Sequence, residues 1–107
     1  MRNTFINHLT ELAKENKNIF LLVGDVGYNV IEKFKKYFPD RFLNVGVAEQ
    51  NMTSIAAGLA SQGYHVFTYS IANFPTFRCA EQIRNDIDYH NLPVTIVSVG
   101  GELVMEI

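Results

Sequence analysis

The sequence predicts an α/β domain: a parallel sheet with helices on both faces. Three observations carry that expectation. Extended and helical patterns alternate along the chain, the order that joins parallel strands through right-handed crossovers. The first extended run, "NIFLLVG" over 18–24, is continuously apolar, as suits a strand covered on both faces. Between the strands, apolar residues recur at helical spacing and the runs stop at Gly or Pro.

The elements follow in order. Phe5, Leu9, Leu12 and Ala13 share a helical face, with Asn3 or Thr4 as its cap. After the 18–24 strand, "YNVIEKFKKYF" over 28–38 reads as a second helix with Val30, Phe34 and Phe38 on one side, stopped by Pro39. "FLNVGV" over 42–47 is a short strand. Met52, Ile55, Ala56 and Leu59 make the stripe of a third helix, closed by Gly63. "YHVFTYS" over 64–70 is the third strand. A fourth helix over 76–89 turns Ala80, Ile83 and Ile87 inward, and "LPVTIVSVG" over 92–100 is the last strand. Four strands make a thin sheet, so the expected domain, spanning 1–107, is incomplete or completed by another chain. The tail "ELVMEI" over 102–107 fits none of these patterns.

Composition narrows the function classes. Of 107 residues, 48% are hydrophobic and 19% charged, enough apolar matter for a packed core and too much for a disordered chain. A net charge of −2 offers nothing to nucleic acid or to an anionic membrane. No apolar run nears the ~20 residues that span a bilayer. The one cysteine, Cys79, excludes an internal disulfide and fits the cytoplasm.

In open parallel sheets, ligands bind beyond the carboxyl ends of the strands, so those ends hold the candidate chemistry. "GDVG" over 24–27 places Asp25 at the top of the first strand; it reads either as a cofactor contact or as a turn in which Asp bonds its own backbone. It is neither a dinucleotide fingerprint nor a phosphate loop. Glu49 and Gln50 open the third helix. An acid there is favoured by the helix dipole, yet the small residues "AAGLA" that follow suggest close packing and a deep junction. A deep carboxyl is a place to keep a proton. Tyr69, Phe74 and Phe77 are either core or a wall for a heteroaromatic ring. Arg78, Glu81, Gln82 and Arg84 form a solvated face or a subunit interface. His8, His65 and His90 lack metal-ligand spacing, so no metal site is expected. Cys79 reads as a buried, inert thiol, and Ser70 lacks the G-x-S-x-G elbow of a nucleophile.

The stretch "RFLNVGVAEQNMTSIAAGLASQGYHVFTYSIANF", with the arginine and "EQIRND" after it, resembles the pyrimidine-binding domain of the transketolase family. That family comprises thiamine diphosphate enzymes, some of them split so that this domain opens a separate C-terminal subunit. The resemblance runs roughly from residue 19 to residue 100. It implies the thiamine diphosphate-binding fold, and it implies a catalytic role for Glu49. That residue matches the glutamate that bonds N1′ of the cofactor's aminopyrimidine and favours the imino form, whose N4′ then takes the C2 proton of the thiazolium. By the same resemblance Phe74 stacks on the pyrimidine, Phe77 adjoins it, Asp25 lies near the thiazolium, and Arg78 matches an arginine of the synthase-like branch. A further family aromatic falls on Ile71 here, which thins the wall.

The family binds the diphosphate and Mg²⁺ through a G-D-G…N motif on a separate domain. "GDVG" is not that motif and nothing else in the chain is. The implied partner is therefore a diphosphate-binding domain or subunit that also carries the Mg²⁺, alongside a second copy of the chain in a homodimer. The tail does not resemble the family's usual continuation, so the chain reads as truncated. The implied activity is transfer of a two-carbon ketol unit between sugars or sugar phosphates, with the isolated chain inactive. Deoxyxylulose-phosphate synthases and 2-oxoacid dehydrogenase β-type subunits share the glutamate logic. A non-catalytic dimeric scaffold accounts for the missing diphosphate motif.

Overall fold

The computed structural model describes residues 2–27, 29–71, 74–100 and 105–106. Four strands run parallel: β1 (Ile19–Val23), β2 (Phe42–Asn44), β3 (His65–Ile71) and β4 (Val94–Val99). Their spatial order is β2-β1-β3-β4, the α/β arrangement expected. A two-residue β5 (Met105–Glu106) adds antiparallel to β4. It lies in the tail that no sequence pattern marked; the rest of 102–107 falls outside the described residues.

The helices divide between the two faces. On one, Ile6, Leu9 and Ala13 of α1 (Arg2–Glu15) and Phe34 of α2 (Glu32–Tyr37) pack with Leu21, Val23, Tyr69 and Val97. On the other, Met52, Ala56 and Ala60 of α3 (Glu49–Ser61) cover Leu22 and Val66. Ala57 closes on Ile87 and Ile96. Each large side chain so buried contributes ~1.5–3 kcal/mol. These contacts fix α3 across β1 and β3.

Several elements depart from the sequence expectation for local reasons. Asn3 and Thr4 cap nothing, because α1 already includes Arg2. Its buried stripe is Ile6, Leu9, Thr10 and Ala13, and Leu12 is exposed. Leu12 lies about 100° around the helix from the centre of that stripe. The second helix is shorter than 28–38. Asn29, at φ 62, has left-handed backbone, and the helix forms only from Glu32, whose carboxylate accepts the Asn29 N–H at 2.9 Å. Tyr28 lies outside the described residues. β2 stops at Asn44 rather than 47 because Gly46 turns at φ 75.

The fourth helix changes pitch along its length. It is 3₁₀ over Phe77–Cys79, α over Ala80–Gln82 and π over Ile83–Asp88. The tight first turn swings Cys79 inward and leaves Ala80 exposed, against the inward place expected for Ala80, while Ile87 is buried as expected.

Candidate active site

The register brings three strand ends to one level. Val23 lies between Asn44 of β2 and Tyr69 of β3. Gly24 prolongs the ladder through its N–H to the Tyr69 carbonyl at 3.1 Å, and Val45 does so through its N–H to Val23 at 2.9 Å. The chain then turns through Gly46 and starts α3 at Glu49 with no side-chain cap from Ala48. Because strand side chains alternate, Tyr69 and Ser70 point to opposite faces. Tyr69 enters the α1 side and stacks on Phe5, centroids 5.9 Å apart. It is core, and the reading of it as part of a ligand wall is lost. Ser70 turns to the α3 side and meets Glu49.

Glu49 is only 4% exposed. Its Oε2 accepts a hydrogen bond from Ser70 Oγ at 3.0 Å, and its carbonyl accepts one from Thr53 Oγ1 at 3.0 Å. A Cβ on Gly24 would stand 2.9 Å from Glu49 Oε2 and 3.0 Å from Ser70 Oγ. Any larger residue there presses on the Glu49 carboxyl and the Ser70 hydroxyl, which must shift to admit it. Glu49 opens onto a groove of about 490 Å³ walled by Val47, Gln50, Asn51, Arg78 and Gln82.

Of the other residues singled out in the sequence, Gln50, Arg78 and Gln82 line this groove with Glu49, whereas Asp25 lines a separate pocket with Phe42 and Asn44. Phe74 is half-buried, with the Arg78 guanidinium 4.3 Å from its ring centroid. The Arg78 carbonyl accepts from Gln50 Nε2 at 3.1 Å, tying the fourth helix to the start of α3. Phe77 is 76% exposed and not core. Asp25 is exposed at φ 56. Its N–H donates to Asn44 Oδ1 and its Oδ1 accepts from Asn44 Nδ2, both at 3.1 Å. Glu81 and Arg84 are exposed, as a solvated face requires, whereas Gln82 Oε1 is buried without a partner among the described residues.

Cys79 is fully buried and donates to the Phe74 carbonyl at 3.1 Å. Burial, above all, pushes its thiol above the ordinary value of 9.0; the Thr53 hydrogen bond opposes this, the Glu49 charge adds to it, and Arg78 opposes it. A thiol held neutral in this way is inert. His65 spends its Nε2 on Thr95 Oγ1 at 3.1 Å, and no metal-holding cluster of His, Cys, Asp or Glu occurs among the described residues. Among the same residues no helix is long and apolar enough to cross a membrane.

Sequence reasoning missed Ser70, Gly24 and Asn44 as site residues. Strand alternation carried a signal for Ser70: it stands opposite in phase to buried Tyr69 and one residue beyond the level of Val23. The arrangement suits a flat, nitrogen-bearing ring. It combines a sheltered carboxyl at the groove, a glycine close behind that carboxyl, and on the groove wall an arginine that carries the half-buried Phe74 ring.

Comparison with known proteins identifies the family and the fold. Residues 1–103 match the family described as "Transketolase, pyrimidine binding domain". A protein of Methanocaldococcus jannaschii named for a transketolase C-terminal section is 44% identical over 99 residues, covering 92% of this chain and 31% of its own length. The 1-deoxy-D-xylulose-5-phosphate synthase of Mycobacteroides abscessus is 38% identical over 98 residues, covering 89% of this chain and 15% of its own length. A solved structure described as a split-gene transketolase, inactive β4 tetramer, superposes with a TM-score of 0.80 at 41% identity, covering 89% of this chain and 32% of that one. The chain thus spans about a third of the split-transketolase proteins it matches. With the fold and the sequence match in agreement, this chain belongs to the transketolase pyrimidine-binding domain family.

Proposed function

We propose that the chain is the pyrimidine-binding part of a thiamine diphosphate-dependent, transketolase-type transferase that moves a two-carbon ketol unit between sugars or sugar phosphates. The single observation that carries this reading is Glu49: 4% exposed, hydrogen-bonded to Ser70, and open to the groove. When bound, the cofactor supplies a thiazolium carbon that becomes nucleophilic once it loses its proton.

The chain's own residues do the rest. Glu49 holds or yields a proton at the pyrimidine ring nitrogen. Phe74 and Phe77 offer ring faces, Phe74 backed by the Arg78 guanidinium. Asp25, fixed by Asn44, places a carboxylate at the neighbouring strand end. The diphosphate and its Mg²⁺ fall to a partner domain or subunit, because no G-D-G…N motif occurs in these 107 residues.

The exposed side chains Val47, Ile71 and Phe77 stand at these same strand and helix ends and suit burial against that partner or a second copy. The structural relative described as an inactive β4 tetramer supports self-association, with activity needing another chain. A cytoplasmic setting agrees with a single, buried cysteine.

The test mixes the chain with a diphosphate-binding transketolase subunit, thiamine diphosphate and Mg²⁺, and follows ketol transfer from a ketose phosphate to an aldose. The expected result is turnover that needs both chains and falls at least ~100-fold in Glu49→Gln. Unchanged turnover in that variant indicates a scaffold. The 38% identity to a deoxyxylulose-phosphate synthase favours one second reading, in which pyruvate is the donor. Product analysis with pyruvate against a ketose phosphate separates the two.

A further inference from the structure

We infer that Ser70 is a positioning residue that gives the two oxygens of Glu49 separate tasks, with Oε2 held by the protein and Oε1 left for the ring nitrogen. The inference rests on the reading of Glu49 as the ring contact and adds the means by which the carboxyl is aimed. Ser70 is fully buried and Glu49 nearly so. Its hydroxyl donates to Oε2 at 3.0 Å, and among the described residues no hydrogen bond reaches Oε1. The Oε2 side is also closed sterically. The backbone at Gly24, just past β1, approaches so nearly that one added carbon would fall 2.9 Å from Oε2 and 3.0 Å from Ser70 Oγ. A ligand atom has no room there, whereas the groove lies open beside the same side chain.

The chemistry follows from occupancy. An oxygen that accepts a hydrogen bond from a buried hydroxyl has its lone-pair density engaged and is the weaker base of the pair. A proton carried by Glu49 therefore sits on Oε1. Were a ring nitrogen bound there, the proton would pass from Oε1 to that nitrogen's lone pair, and the electron pair of the broken O–H bond would stay on the carboxylate. Ser70 keeps its own proton throughout. The serine is a fixed donor and not a relay, and its bond persists in both states of Glu49.

A double-mutant cycle on the 107-residue chain, free of cofactor, tests the bond. Ser70→Ala lowers the folding equilibrium constant in urea by roughly ten-fold when residue 49 is Glu. The loss stays substantial with Glu49→Gln, because an amide oxygen still accepts from Ser70 while its NH₂ takes the outward place. It shrinks below about two-fold with Glu49→Ala. Equal losses in all three backgrounds overturn the inference.

In the assembled enzyme Ser70→Ala lowers kcat roughly ten-fold with the cofactor's KM changed less than about two-fold, and Ser70→Thr, which keeps the hydroxyl, recovers most of the rate. A fall confined to KM, or no recovery with Thr, also overturns it. Should Ser70→Ala fail to fold, Ser70→Cys, with its weak S–H donor, carries the same expectations. The two readings fail separately: an active Glu49→Gln enzyme removes the proposed function, while a flat cycle removes only the role of Ser70.

Discussion

Gly24→Ala is the most telling small perturbation. The backbone of Gly24 is not in the left-handed region, so alanine at an unconstrained position of this kind stabilises by ~0.4–1 kcal/mol through the unfolded chain. Here the new Cβ meets Glu49 Oε2 at 2.9 Å, Ser70 Oγ at 3.0 Å and Ser70 Cβ at 3.4 Å. Overpacking of a closed site costs ~1–3 kcal/mol, and the Ser70–Glu49 bond that must open is of a kind that contributes ~1.5–3 kcal/mol. Partial relaxation of the carboxylate into the groove recovers some of this. The net expectation is a destabilisation of about 2 kcal/mol. For a chain of 107 residues, 1 kcal/mol corresponds to ~4–5 °C, so the midpoint falls by about 9 °C. Scanning calorimetry at pH 7 reads it. Gly58→Ala is the control: it lies inside α3 with nothing within 4 Å of the added carbon, and gains ~0.5–1 kcal/mol. If Gly24→Ala matches or exceeds the wild-type midpoint, the carboxyl does not press on β1 and the described site is wrong.

Other perturbations probe the surroundings. Asn44→Asp sets two carboxylates against each other where Asn44 Nδ2 now donates to Asp25 Oδ1 at 3.1 Å; at low salt it costs ~1 kcal/mol in urea unfolding, and the exchange Asp25→Asn with Asn44→Asp restores it. No recovery in the exchanged pair refutes the clasp. Because burial raises the Cys79 thiol above 9.0, the unfolded chain loses that proton first. The stability this contributes is whole below about pH 9 and is lost as pH rises through the folded value. As pH rises past about 9 the wild type should therefore lose more stability than Cys79→Ala, and parallel curves contradict the burial argument. Phe77→Ala, at a residue 76% exposed, leaves the melting of the chain within the equivalent of ~0.5 kcal/mol but weakens assembly with the partner several-fold in ultracentrifugation; equal assembly removes Phe77 from the interface.

The sheet was legible because buried parallel strands announce themselves as unbroken apolar runs: 18–24 and 92–100 contain β1 and β4 with little excess. α3 was legible from Met52, Ile55, Ala56 and Leu59, and its first residue, Glu49, from the apolar run before it. Helix ends were less readable. Asn29 and Gly46 leave regular structure through positive φ, which one Asn or Gly among many does not announce. The pitch change at Phe77–Asp88 moved Cys79 inward and Ala80 outward, since a 3.6-residue wheel assumes constant pitch. The site divides the same way. Glu49 stands in a recognisable stretch, and its burial was foreseen from the small residues that follow it. Ser70, Gly24 and Asn44 act through contacts between strands distant in sequence. Only the register of β1 with β2 and β3 brings them together.

The most direct measurement of the central claim is a crystal structure of the chain assembled with its diphosphate-binding partner and thiamine diphosphate. Glu49 Oε1 is expected within ~2.6–3.2 Å of a pyrimidine ring nitrogen, with Oε2 still on Ser70 and Phe74 against the ring. A pyrimidine seated away from Glu49, or a Glu49 side chain turned to bulk water in the closed assembly, contradicts that claim.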